Sequence, residues 1–171
     1  MVSEPTFGTP GIVALALRYP TEDAMDLLET SVDALAKGGA EREMRRFMKD
    51  VNGMPLGELE ELYTMTFDLS PVVVPYVGHL AYGDSYERGT FMADLKGAMR
   101  TVDVDPGSEL PDHLDPILRY LAATDEPINS LEPILVPAIT KMQKSLKKSN
   151  SKNPYLHVLT AARIVAEESM R

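Results

Sequence analysis

The sequence predicts an all-α fold, a single-domain helical bundle that spans residues 1–171. Apolar residues recur at every third or fourth position along most of the chain, and this spacing places them on one face of a helix. They are mostly Leu, Val, Ala and Met, a mixture closer to the good helix formers than to the β-branched and aromatic residues typical of strands. No alternating strand pattern longer than a few residues appears.

The first three predicted helices follow one another between residues 21 and 67. Residues 21–37 form the first, with Thr21 as its N-cap and Gly38-Gly39 as its stop. The second ends before Asn52-Gly53, and the third follows Pro55. Their apolar stripes are Met25, Leu28, Val32 and Leu35, then Met44, Phe47, Met48 and Val51, then Leu56, Leu59, Leu62, Tyr63 and Phe67.

Residues 70–81 carry conflicting signals. Val72-Val73-Val74 favours a strand, whereas Ser70-Pro71 has the pattern of an N-cap followed by a proline in the first helical turn. We predict a helix from Ser70 to Ala81.

The middle of the chain carries two further amphipathic patterns. Asp84 and Glu87 predict a capping box that starts a long helix ending near Val102. A loop is expected over 103–108, and the next helix begins behind Pro111. The inner faces are Phe91, Met92, Leu95, Met99 and Val102 in the first, and Leu114, Ile117, Leu118 and Leu121 in the second.

Two helices complete the bundle. The first carries an apolar stripe from Ile128 to Leu146, and Pro133 and Pro137 within it predict a kink. The last helix is expected to begin at Asn153-Pro154. Its inner face would contain Tyr155, Leu159, Ala162 and Ala166.

The composition indicates which classes of partner and chemistry the protein can have. The net charge of −9 and pI near 4.8 repel phosphate backbones, so we expect basic or apolar partners rather than nucleic acid. The absence of Cys excludes disulfides, thiolate metal sites and thiol catalysis. No window of about 18 apolar residues and no signal-peptide pattern occurs, so we expect a cytoplasmic protein without stable membrane insertion.

Enzyme motifs are absent from the sequence. There is no phosphate-binding glycine loop, no nucleophile elbow and no zinc-protease motif, and His79, His113 and His157 are far apart. We therefore expect a binding protein, not an enzyme. A small carboxylate-dependent enzyme is the alternative, and it requires a concave pocket with at least two titratable groups of perturbed pKa. A structural subunit of a larger complex would instead need a large flat apolar interface.

Two clusters could form a binding site. Tyr63 and Phe67 are spaced i,i+4 and are followed by Asp68, so two rings and a carboxylate emerge together, although such aromatic stripes usually pack in the core. Asp112 and His113 lie at a helix start, where they could cap the helix or receive a basic ligand.

Five lysines gather near the end of the predicted 128–146 helix, where cations interact favourably with the negative end of the helix dipole. We favour this interpretation over an anion site. The lysines are Lys141, Lys144, Lys147, Lys148 and Lys152.

Three short motifs, in order, resemble the NarJ branch of the TorD/DmsD redox-enzyme maturation chaperones, which assemble molybdenum-dependent nitrate reductases. They are Tyr63-Thr64-Met65-Thr66-Phe67-Asp68, Gly83-Asp84-Ser85-Tyr86-Glu87-Arg88-Gly89, and Glu109-Leu110-Pro111-Asp112-His113-Leu114 with Tyr120-Leu121 behind it. Weaker similarity extends the resemblance to about residues 12–165. Thr66 stands where the family's Tyr-x-x-Leu-Phe pattern has leucine.

The resemblance implies a TorD/DmsD-like bundle of about eight or nine helices that performs no reaction itself. Such a chaperone is system-specific: it binds the N-terminal segment of a nitrate reductase-like catalytic subunit and assists molybdenum cofactor insertion, with no cofactor bound permanently. A client of the dimethyl sulfoxide reductase type is the alternative. A homodimer formed by helix exchange through the 103–108 loop is possible.

We place six residues in the peptide site on these grounds. Tyr63, Phe67 and Tyr120 would supply apolar or stacking contacts. Asp68 and Asp112 would accept hydrogen bonds from basic side chains, and His113 would change charge near neutral pH and so modulate release.

Overall fold

The computed structural model describes residues 7–69 and 71–171, and within these ranges it contains nine α-helices and no strand. The predicted all-α bundle of eight or nine helices is therefore confirmed. The helices are α1 (Thr9–Leu15), α2 (Glu22–Asp33), α3 (Gly39–Val51), α4 (Leu56–Tyr63), α5 (Val77–Tyr82), α6 (Tyr86–Thr101), α7 (Leu114–Ala123), α8 (Leu135–Ser149) and α9 (Tyr155–Ser169). A π-helical turn, Thr64–Asp68, continues α4, and a 3₁₀ turn, Asn129–Leu131, precedes α8.

Helix α9 lies at the centre of the bundle and packs against α1, α3, α7 and α8. Its predicted inner face is confirmed, since Tyr155, Leu159, Ala162 and Ala166 are all buried. Alanines on this face let neighbouring helices approach closely. No helix in residues 7–69 and 71–171 is long and apolar enough to span a membrane.

Helix α1 is an element that the sequence pattern did not predict. Residues 11–17 are all buried, so the helix has no polar face and therefore no amphipathic stripe. It packs mainly against α7 and also against α9.

Two boundaries near the N-terminus differ in part from prediction. Thr21 is the N-cap of α2 as expected, and its Oγ1 accepts a hydrogen bond from the Ala24 N–H at 3.1 Å. The helix ends at Asp33 rather than at 37, because the chain tightens into a turn that buries Leu35. Gly39 consequently begins α3 instead of ending α2.

The helix predicted over 70–81 is wrong in its first half, since only Val77–Tyr82 is helical. Residues 71–76 are non-helical because their backbone bonds to distant segments: Val73 N–H donates to Thr66 O at 2.9 Å, and Pro75 O accepts from Leu114 N–H at 2.9 Å. Pro75 also disfavours a helical conformation in the residue before it. The predicted N-cap Ser70 lies outside the described residues.

The predicted capping box at Asp84 is also wrong. Ser85 is the N-cap residue of α6, and the Asp84 carboxylate instead lies 3.3 Å from His79 Nδ1 and 3.7 Å from an Arg88 guanidinium nitrogen. The predicted end of this helix near Val102 is confirmed, because α6 ends at Thr101 and the expected 103–108 loop follows.

The kinked helix predicted over 128–146 is a 3₁₀ turn followed by a separate helix, α8. Pro133 precedes α8, and Pro137 lies in its first turn, where a backbone N–H has no helical partner to lose. The last helix begins at Tyr155, directly after the expected Asn153-Pro154.

Candidate functional site

A groove of about 530 Å³ opens where the π-helical turn, the loop before α7 and the start of α7 meet. Four carboxylates line it against two guanidinium groups, so its charge is negative. We call it the acidic groove. Its ionisable lining is Arg18, Asp68, Asp105, Glu109, His113, Asp115 and Arg119, and its aromatic lining is Tyr19, Tyr63, Phe67 and Tyr76.

The π-helical turn positions two of these side chains, Phe67 and Asp68. Leu69 N–H donates to Thr64 O at 3.1 Å, five residues back, so the turn holds one residue more than an α-helical turn. Thr66 fixes the turn from the buried side, because its Oγ1 donates to Leu62 O at 2.7 Å and accepts from Asn153 Nδ2 at 3.0 Å. A leucine at this position could make neither bond.

The aromatic wall continues into the core as a series of ring contacts. Tyr63 lies between Tyr19 and Phe67, with ring centroids 5.6 Å and 5.3 Å away, and Phe67 meets the buried Tyr155 edge-on at 5.1 Å. The Tyr63 hydroxyl donates to Leu17 O at 2.7 Å, and burial raises the pKa of this phenol, so the donor stays protonated. The groove wall is therefore anchored to α9 through Tyr155.

Asp112 lies beneath the groove and not on its surface. It is fully buried, and Arg88 binds it with two hydrogen bonds, Nε to Oδ2 at 2.9 Å and a terminal nitrogen to Oδ1 at 3.3 Å. The same guanidinium lies 5.7 Å from the centre of the Tyr76 ring. Helix α5 approaches so closely that a Cβ at Gly78 would lie 2.6 Å from Asp112 Oδ2. This ion pair therefore joins α5, α6 and the start of α7.

His113 is the N-cap of α7, a role we had considered together with ligand binding. Its Nδ1 accepts a hydrogen bond from the Asp115 N–H at 3.0 Å, and its ring packs edge-on against Tyr76 at 5.2 Å. Burial lowers the pKa of His113, although the nearby carboxylates of Glu109, Asp115 and Asp112 oppose the shift. The lowered pKa favours the neutral ring, which can accept this hydrogen bond at Nδ1. A change of charge at His113 that modulates release stays a prediction.

The groove acids differ in their partners. Asp115 lies 3.3 Å from Arg119 and 3.8 Å from Arg18. Glu109 accepts a hydrogen bond from the Tyr76 hydroxyl at 2.9 Å, and burial together with this bond raises the pKa of Tyr76 to about 12.

Three acids of the groove are exposed, Asp68, Asp105 and Glu109, and none of them forms an ion pair with a residue in 7–69 or 71–171. Asp105 accepts a hydrogen bond from the Gly107 N–H and Glu109 accepts one from the Tyr76 hydroxyl, whereas the Asp68 side chain forms no hydrogen bond within these residues. Asp68 is therefore the carboxylate that an incoming cation could reach most easily.

An apolar surface continues from the groove at Tyr19, which lines both. Its side chains Tyr19, Met65 and Leu69 are 47%, 59% and 73% exposed, and Glu60 and Glu61 border them. We call these three residues the apolar patch. Water-exposed side chains of this size beside a groove are typical of binding surfaces.

Four of the six predicted site residues line the acidic groove: Tyr63, Phe67, Asp68 and His113. Asp112 lies beneath it, and Tyr120 is buried in the core, where its hydroxyl accepts from Ile128 N–H at 3.1 Å. The groove also contains residues that our sequence reasoning did not place in the site, chiefly Tyr19, Tyr76, Glu109 and Asp115. Two of them carried a signal in the sequence: Glu109 opens the third motif, and Tyr19 lies within the region of weaker family similarity, in Arg18-Tyr19-Pro20.

The described residues form an all-helical protein with an aromatic-walled acidic groove beside exposed apolar side chains. Residues 32–152 match the family model described as nitrate reductase delta subunit, which is more than half of the chain. The chain belongs to this family of NarJ-type assembly chaperones, as its motifs indicated, and is thus a molybdoenzyme maturation chaperone. No curated protein matches the chain.

Proposed function

We propose that the protein is a system-specific cytoplasmic chaperone that binds the N-terminal segment of a nitrate reductase-like catalytic subunit in the acidic groove. The supporting observation is the juxtaposition of an acidic groove with the apolar patch. An amphipathic segment with Lys or Arg near its apolar residues matches both surfaces at once. By holding this segment, the chaperone would assist molybdenum cofactor insertion into its client.

Each part of the segment would have a defined contact. A basic side chain would meet Asp68, whose carboxylate is exposed and unpaired within the described residues. Apolar side chains would cover Met65 and Leu69, and a ring or aliphatic chain would pack against the exposed Tyr19. Phe67, Tyr63 and His113 would form the groove wall. Asp112 would act indirectly, by holding Arg88 beneath Tyr76.

An enzyme is a weaker proposal, although the groove does contain groups of perturbed pKa. Those groups are already occupied: His113 Nδ1 caps α7, the Tyr63 hydroxyl donates to Leu17 O, and the Tyr76 hydroxyl donates to Glu109. The shifts also favour the neutral form of each group, so none is activated as a nucleophile near neutral pH. These contacts support a structural role for all three.

Calorimetric titration with the client's N-terminal peptide tests the proposal, and a length of about 15 to 30 residues allows several helical turns. Asp68→Asn should weaken binding about fivefold, because an exposed ion pair contributes up to about 1 kcal/mol. Asp94→Asn is the matched control, since Asp94 is an exposed acid on α6 outside the groove. Equal losses in both variants, or no binding to the parent chain, would contradict the assignment.

A peptide from a dimethyl sulfoxide reductase-type subunit, titrated in parallel, separates the two client classes. Tighter binding of that peptide would move the proposal to the second client. Light scattering of the free chain tests the possible homodimer.

A further inference from the structure

A second groove, of about 970 Å³, lies between α3, α8, α9 and the α8–α9 connection. Cationic side chains reach it from four parts of the chain: Arg46 from α3, Lys144 and Lys147 from α8, Lys152 from the connection and Arg163 from α9. We call it the basic cleft. Such a concentration of positive charge is unexpected in a chain of net charge −9.

Most of this positive charge is not neutralised locally. Arg46 pairs with Glu43 at 2.8 Å, and His157 lies between Glu43 and Asp50 at 2.7 Å and 3.2 Å. The other four cations, Lys144, Lys147, Lys152 and Arg163, form no ion pair within residues 7–69 and 71–171.

Arg163 provides a second indication of a ligand site. Its Nε is buried and has no hydrogen-bond partner among the described residues. An unsatisfied buried donor is costly, and most such donors in folded proteins are paired. Because the Arg163 side chain lines the cleft, a small movement of it toward a ligand's acceptor would satisfy this donor.

The helix dipole does not account for this arrangement. It explains Lys147 and Lys148, which lie in the last turn of α8. It does not explain Arg163, which lies within α9, or Lys152, which lies beyond the end of α8. Arg163 and Lys152 therefore reach the cleft independently of the helix end.

The cleft also has apolar walls, formed by Met54, Leu62 and Leu156. Its volume falls within the range of about 300–1,000 Å³ typical of small-molecule sites. We propose that the basic cleft binds a small multivalent anion that carries phosphate or diphosphate groups on an apolar body. Arg and Lys would contact the phosphate oxygens, and the apolar walls would contact the body.

Calorimetric titration of the full chain with pyrophosphate, and with orthophosphate as the lower-charge comparison, tests the anion contacts. Lys144→Gln/Lys147→Gln should weaken pyrophosphate binding at least about tenfold, because two charge-assisted contacts are lost. Both lysines are exposed, so the fold should persist, and circular dichroism checks that it does. Pyrophosphate should also bind more tightly than orthophosphate.

The matched controls are single variants of neighbouring residues. Lys147→Gln should weaken binding, whereas Lys148→Gln should not, because Lys148 does not line the cleft. Equal effects of the two would show a nonspecific response to net charge and would overturn the proposal. Tighter binding of an oligoglutamate peptide than of pyrophosphate would overturn it in favour of an acidic protein segment. Since the cleft and the acidic groove share no lining residue, failure of this test leaves the client proposal intact.

Discussion

Removing the Asp112 carboxylate is the most informative single perturbation of this structure. Asp112 is fully buried, and its partner Arg88 has a side chain only 16% exposed. Within the described residues, Asp112→Ala would leave that guanidinium with the more distant Asp84 as its ion-pair partner, at 3.7 Å. Loss of one member of a buried pair typically costs about 3–5 kcal/mol. At roughly 2–4 °C per kcal/mol for a chain of this size, the melting temperature should fall by about 10 °C.

A second variant separates charge from packing. Arg88→Met/Asp112→Leu removes both charges together, and apolar replacement of a buried ion pair is often neutral or stabilising. We therefore expect it to recover most of the stability lost in Asp112→Ala, as measured by thermal unfolding followed by circular dichroism. If Asp112→Ala unfolds within about 1 kcal/mol of the parent chain, the reasoning that this pair joins α5, α6 and α7 is refuted.

The same pair of variants decides how Asp112 affects the client peptide. If the pair affects the peptide only by stabilising the fold, a well-folded double variant should bind the peptide nearly as tightly as the parent. If affinity is lost while the fold is retained, the Asp112–Arg88 pair contributes to binding beyond stability, by holding Tyr76 at the groove.

Two further predictions concern the π-helical turn and the N-cap of α7. Thr66→Val keeps the side-chain shape but removes the bonds to Leu62 O and Asn153, so urea unfolding should show a loss of about 1–3 kcal/mol, and an unchanged stability would contradict this. Burial lowers the pKa of His113 below its ordinary 6.5, so its contribution to stability is complete above pH 6.5 and is lost as the pH falls below it. His113→Asn keeps a capping side chain but should remove this pH dependence. The free energy of unfolding, measured by urea titration at several pH values between about 5 and 7, should therefore fall less steeply with decreasing pH in the variant than in the parent chain. The same pH dependence in both proteins would contradict the assignment.

Helices with one polar and one buried face could be predicted from the sequence, because their apolar residues repeat at helical spacing. Helix α1 could not, because it is buried on all sides and has no stripe. The non-helical run 71–76 depends on hydrogen bonds to Thr66 and Leu114, and no local pattern reveals bonds to such distant residues.

In the candidate site, too, some features follow from helical spacing and others depend on residues that are distant in sequence. Tyr63, Phe67 and Asp68 are contiguous with one helix end, so their proximity follows from helical spacing. The burial of Asp112 depends on Arg88, which is 24 residues away in sequence, and on the absence of a side chain at Gly78. The groove residues Tyr76 and Glu109 meet through loop geometry alone, which periodicity does not report.

The π-helical turn also bears on how this surface could arise and disappear in evolution. A turn with one additional residue amounts to a single-codon insertion in an otherwise regular helix. Deleting one residue before Asp68 in this turn would restore α-helical register and rotate the following side chains by about 100°. Asp68 would then leave the groove although its own identity had not changed. Relatives that differ by one residue here should therefore differ in client selectivity, and sequence alignments across this turn need a gap of one position.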